Sequence, residues 1–175
     1  METTPIRLLY IMVGFTLGHL LMGASPLSAQ GDCKVVLDAE SKVLNTPTHA
    51  YATTNIVGRT TTTEMIYAAG VVYVKIDGKW SPGGTTKDLE QLTEKNRQNT
   101  KVTCRYLKDE PVNGEMAAVY STHEEPQKGT LDSQIWISKA KGLPLRQEID
   151  IDVGGSGGKS HNSMRFEYAN VKPPI

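Results

Sequence analysis

The side chains able to act as acid, base, nucleophile or metal ligand are few in this chain and stand far apart. Cys33 and Cys104 could supply a thiolate, and His49, His123 and His161 could serve as general bases. Glu148, Asp150 and Asp152 alternate, so on a strand they would line one side and offer oxygens to a calcium ion. None of these completes a catalytic arrangement. Neither Cys stands in a Cys-x-x-Cys or beside a His at metal spacing, and no Gly-x-Ser-x-Gly elbow, His-Glu-x-x-His helix, phosphate-cradling loop or EF-hand spacing occurs. Each His sits in a polar stretch, where a surface imidazole is the default, and an acidic row is commonly the solvated side of a half-buried sheet. Asp109-Glu110 and Glu124-Glu125 abut turns and need no chemistry. The expectation is a protein that is not an enzyme, with no catalytic residues, no metal and no cofactor. A hydrolase would need a nucleophile-base pair that the chain does not offer.

The 175 residues carry 19 Lys+Arg against 19 Asp+Glu, a formal net charge of zero. That length is one modest domain. With no basic tract there is no electrostatic footprint for nucleic acid, which is excluded as a partner.

The first thirty residues divide into a short head with Arg7, an apolar run from Leu8 to Met22, and a small-residue exit, Ala24-Ser25-Pro26-Leu27-Ser28-Ala29-Gln30. This pattern reads as an export signal, residues 1–29, cut after Ala29. The alternative, a membrane anchor, is disfavoured because the run is shorter than the roughly 20 apolar residues that span a bilayer. Cys33 follows Gln30-Gly31-Asp32, not the small residues that precede a lipidated Cys. The expected product is a soluble periplasmic or secreted protein, one domain over 30–175, with no permanent membrane anchor. In an oxidising compartment the two cysteines read as a disulfide, Cys33 to Cys104. Closing a loop of about 70 residues would add on the order of 4 kcal/mol in the chain-entropy account.

The elements that must position these residues are legible in outline. Val35, Val36, Ala39, Val43 and Leu44 recur at helical spacing, predicting a helix from Asp32 to Leu44 that Asn45-Thr46-Pro47 stops. The Thr-rich stretch from His49 to Thr63 favours a strand with a turn at Gly58-Arg59, although such a tract also suits a glycan-bearing loop. Met65 to Asp77 predicts one continuous strand, with Ile66, Ala68, Val72, Val74 and Ile76 on one face and Met65, Tyr67, Val71 and Tyr73 on the other. Asp77-Gly78 turns the chain, and a Pro-Gly-Gly break follows Ser81. Thr86 caps a second helix over Asp88–Asn99 whose buried side is Leu89 and Leu92. Strands follow from Val102 to Glu110, Glu115 to Glu124 after Asn113-Gly114, Thr130 to Ser138, Leu143 to Val153, and Ser163 to Val171 beyond the glycine-rich connection at 154–158. The fold expected is α+β: a curved antiparallel sheet of about seven or more strands with two helices covering its concave side. Both helices look too small and too polar to cover an aliphatic face of that size, which leaves room for a ligand.

The run Gln134-Ile135-Trp136-Ile137-Ser138-Lys139-Ala140-Lys141-Gly142-Leu143-Pro144-Leu145-Arg146-Gln147-Glu148, followed by Phe166-Glu167-Tyr168-Ala169-Asn170-Val171, resembles the closing hairpin of the lipoprotein-carrier-like (LolA/LolB/LppX-like) superfamily of exported proteins. Tyr73 to Trp80, of the Tyr-Val-x-x-Asp-Gly-x-Trp kind, and the order of the earlier elements agree with it. The resemblance implies an unclosed half-barrel with helices over its concave side, binding acyl chains by apolar contact without catalytic residues. The same fold serves as a sensing domain in envelope-stress regulators, so fold alone does not fix function. The expected role is to hold a lipid, a lipoprotein acyl chain or another hydrophobic ligand, with Val72, Val74, Ile135, Ile137, Leu145, Ile149 and Ile151 as the lining. The competing expectation is a filled core in which an exposed sheet edge or the Tyr-rich face around Tyr67, Tyr73 and Tyr120, with Trp80 and its Pro-Gly-Gly loop contributing, docks a protein partner or a second copy.

Overall fold

The computed structural model describes residues 26–56, 58–154 and 158–175, with side chains from residue 31 onward. Most of the export-signal reading therefore lies outside the described residues. Helix α1 (Pro26–Asn45) starts earlier than its apolar spacing predicts, so the expected cleavage point after Ala29 falls in its first turns. Val36, Ala39 and Val43 are its buried stripe, at intervals of three and four, while Val35 is turned to solvent. Its end is held by Thr48, whose hydroxyl donates to the Thr46 carbonyl at 2.7 Å, and Pro47 cannot continue the helix.

Nine strands follow: β1 (Thr48–Ile56), β2 (Arg59–Ala68), β3 (Val71–Ile76), β4 (Lys79–Thr85), then, after helix α2 (Thr86–Arg97), β5 (Lys101–Val112), β6 (Glu115–Glu125), β7 (Thr130–Ser138), β8 (Pro144–Asp152) and β9 (Lys159–Glu167). They form one antiparallel sheet in the order β4-β3-β2-β1-β9-β8-β7-β6-β5. Two meanders thus meet where β1 pairs β9, with Ala50 opposite Phe166. The edges β4 and β5 do not pair, so the curved sheet is an open half-barrel. The short helix α2 carries the chain from one edge to the other, and no helix among the described residues is long and apolar enough to cross a membrane.

The stretch read as one strand from Met65 to Asp77 is two. Ala69 (φ 52°) and Gly70 (φ 76°) make a two-residue hairpin turn, with Ala68 opposite Val71 and Tyr67 opposite Val72. A turn of two residues keeps directly opposed residues on a common face, so Val72 and Val74 join Tyr67 and Met65 rather than Ile66 and Ala68. The turn shifts the phase of the alternation by one, and because both faces of this run are apolar the shift leaves no mark in the hydrophobic pattern. Val72 and Tyr67 pack under α1 with Val43, Ala50 and Phe166, whereas Ile66, Ala68 and Tyr73 form a separate cluster on the outer face beside Trp80. Ile76, expected with the apolar face, is 61% exposed. The Pro-Gly-Gly segment does not break β4, because an edge strand tolerates a Pro that donates to no neighbour.

Helix α2 is capped by Thr85 rather than Thr86: its hydroxyl accepts from the Asp88 backbone N–H at 3.1 Å. It has no buried residue, and Leu92, expected on its inner side, is 54% exposed. Leu89 alone reaches the cluster around Tyr67 and Phe166.

Candidate functional site

Covering a nine-stranded face takes more apolar surface than these helices carry. Helix α1 fills one half: Val36 and Ala39 seal Ile135, Ile137 and Tyr120. Over the other half α2 stands off the sheet. Between them lies a cavity of about 1030 Å³, walled by Val43 and Leu44 of α1, Leu89 of α2, and Tyr67, Leu131, Ile149, Met164 and Phe166 of the sheet. Ligand sites of this kind are mostly apolar clefts of roughly 300–1,000 Å³, so the space suits a sizeable hydrophobic guest.

The residues expected to line such a space separate. Ile149 stands on the cavity wall, opposite Ser133 and Asn162 in its neighbouring strands. Ile151, two residues on, faces the same side and is half-buried. Val72 is buried between Tyr67 and Phe166, and Val74 packs against the same group. Ile135 and Ile137, at 0% and 3% exposure, are sealed under α1 as packed core. Leu145 lies on the opposite face, against Ala117, Val119 and Trp136, because a register shift where β7 meets β8 breaks the alternation that grouped it with Ile149. The tyrosines of the competing reading separate too. Tyr67 and Tyr120 point under the helices, while Tyr73 belongs to the outer cluster.

Two carboxyls that the hydrophobic pattern does not single out are in the cavity. Glu40 enters from α1 and Glu124 from β6, with Gln147 of β8 and Arg97 of α2 around them. Burial, reinforced by the nearby charge of Glu124, pushes the Glu40 carboxyl up to about 7, against the pull of Arg97 and of the Gln147 amide within hydrogen-bonding reach. Burial also raises Glu124, opposed by Arg97. The signal for Glu40 was available: it follows the buried Ala39 and lies four residues past Val36, at the border of the apolar stripe. Glu124 shares strand parity with Tyr120, but the adjacent Glu125 and the turn made it look solvated.

The remaining titratable candidates lie on the outer face in pairs. His49 Nε2 is 3.2 Å from Glu64, whose other oxygen accepts from Lys75 at 2.8 Å. His123 is 2.7 Å from Asp132. His161 bridges Asp150 at 2.8 Å and Glu148 at 2.9 Å. Hydrogen bonds to these carboxylates raise His123 and His161 above the usual imidazole value. Ser163 donates to Glu148 at 2.9 Å, so it is bonded to a carboxylate and not to the imidazole beside it. Asp152 is taken by the Gly154 N–H and Lys159. Among the described residues no three His, Cys, Asp or Glu side chains are grouped to hold a metal ion.

Cys33 and Cys104 are joined in a disulfide with Cα atoms 5.0 Å apart. It fastens α1 to β5 at the sheet edge, and the Asp32 carboxylate accepts from the Tyr106 N–H at 3.0 Å beside it. No family model matches the chain, and no curated protein matches it. Its arrangement is similar to the crystal structure of LprF from Mycobacterium bovis, with 12% identity over 85% of this chain and 98% of that one and a TM-score of 0.49. It is similar also to MucB, with 11% identity over 83% of this chain and 62% of that one and a TM-score of 0.46. A DUF1329 family protein from Desulfovibrio piger is 10% identical over 83% of this chain and 95% of that one, with a TM-score of 0.33.

Proposed function

We propose that this is a non-enzymatic binding protein of the cell envelope, exported by residues 1–29, that holds a lipid or lipoprotein acyl chain in its half-barrel cavity. The observation that carries the reading is the cavity itself, about 1030 Å³, with an apolar wall from the sheet and α1 facing the polar side of a second helix that has no buried side chain. Apolar wall of that extent left facing water is costly, and a hydrophobic guest that covers it is favoured.

Native mass spectrometry of the protein purified from its own periplasm, followed by organic extraction, tests this. A co-purifying lipid near one per chain is expected. A folded protein that arrives empty and ignores added fatty acids, phospholipids and alkyl chains would overturn the reading.

A further inference from the structure

The polar side chains of the cavity are not evenly spread. Its lining from α1 and the sheet carries two carboxyls, Glu40 and Glu124, and no Lys, Arg or His. Its cations, Lys87, Lys95 and Arg97, all come from α2, where Glu90 and Glu94 also line the space and Glu94 already pairs with Arg97 at 3.3 Å. Tyr67 of β2 is the remaining titratable group. Two carboxyls held together out of water repel each other when ionised, and the cation that acts on both, Arg97 of α2, is already paired with Glu94. Apart from the Gln147 amide, the wall around them, Leu131, Ile149 and Phe166, has nothing to donate. A guest that brings its own positive charge on an apolar tail fits both parts of this surface.

Resting on the preceding reading, we propose that the cavity selects amphiphiles bearing an ammonium group, which docks between Glu40 and Glu124 while the tail lies along Ile149 and Phe166. The proton held by Glu40 near neutrality has to leave when an ammonium arrives, so such binding tightens as pH rises through about 7. A neutral head gains nothing from that ionisation, and an anionic head meets two carboxylates.

Isothermal titration calorimetry with dodecylamine, dodecanol and dodecanoate, each below its micelle concentration, separates these cases. At about pH 8 dodecylamine is expected to bind about tenfold more tightly than dodecanol, a difference of about 1.4 kcal/mol. The preference is expected to shrink severalfold at about pH 5.5, where Glu40 is protonated. Glu40→Gln and Glu124→Gln, confirmed folded by circular dichroism, are each expected to lower the ratio of dodecylamine to dodecanol affinity. Equal binding of amine and alcohol at the higher pH, or a preference that survives in both variants, would overturn this selectivity and leave the hydrophobic site standing. Failure of all three chains to bind would overturn the site and the selectivity together.

Discussion

Cys33 and Cys104, 71 residues apart in sequence, fasten the first half of α1 against the β5 edge of the sheet. The same helix ends at Asn45, from which Thr46 and Pro47 lead directly into β1 at the centre of the sheet. Helix α1 is thus fastened at an edge by a covalent bond and at the middle by the chain, and its buried stripe lies across the strands between. Replacing both cysteines by Ser removes only the edge fastening. Stability is expected to fall by on the order of 4 kcal/mol in urea unfolding, following the loop-closure estimate for about 70 residues. An unchanged midpoint would show that packing alone holds α1.

Ile135 and Ile149 occupy the same sheet face but different surroundings, one sealed under α1 and the other on the cavity wall. Ile135→Ala is expected to cost about 2–5 kcal/mol, since it opens a void in packed core. Ile149→Asp is expected to leave the protein folded and to abolish binding of alkyl chains, read by calorimetry. Intact binding by a folded Ile149→Asp protein would remove Ile149 from the lining.

Glu40 gives stability a pH dependence of determinate sign. Its carboxyl stands at about 7 in the folded protein against an ordinary value of 4.5 when unfolded, so between those values the folded state holds the extra proton. Stability is therefore greatest below about 4.5 as far as this group is concerned, and declines as pH rises through about 7. The loss is at most about 3 kcal/mol and smaller where water in the cavity screens the charge. Glu40→Gln is expected to flatten that decline and to be more stable than the parent at about pH 8 in the empty protein. Parallel stability profiles for the two proteins would refute the assignment.

Ala69 adopts φ 52° in the β2–β3 turn, a left-handed conformation that favours Gly. Ala69→Gly is expected to raise stability by about 1 kcal/mol, measured as a shift of the urea midpoint without change of slope. The reverse case is Gly129, at φ 81°, where an added Cβ would stand 2.1 Å from the Asp152 carbonyl oxygen. Gly129→Ala is expected to destabilise by more than about 1 kcal/mol, since backbone would have to move.

The sequence by itself determined what depends on near neighbours in the chain. The stripe of Val36, Ala39 and Val43 dictates a helix with one buried side, and Asn113-Gly114 and Asp77-Gly78 dictate hairpins because few other residues accept positive φ at low cost. With two cysteines only, a single disulfide was the one pairing available. Alternation through Thr130–Ser138 and Arg146–Asp152 placed the acidic row on one side of a sheet and the isoleucines on the other.

Only the tertiary structure decided where those faces lie. A two-residue turn at Ala69-Gly70 re-pairs an apolar run that local pattern reads as one strand, and a register shift beside β8 moves Leu145 to the opposite side from Ile149. The joining of β1 to β9 and the passage of α2 from edge to edge are pairings between distant segments, which carry no local mark. Whether an aliphatic residue is core or cavity wall depends on what stands above it. Ile135 and Ile149 are alike in pattern, and α1 covers the first with Val36 and Ala39, while α2 leaves the second facing Glu40, Gln147 and open space. Hydrophobic periodicity specifies the direction a side chain faces, and burial is set by the packing of separate elements, so the site follows from the fold and not from any one segment of the chain.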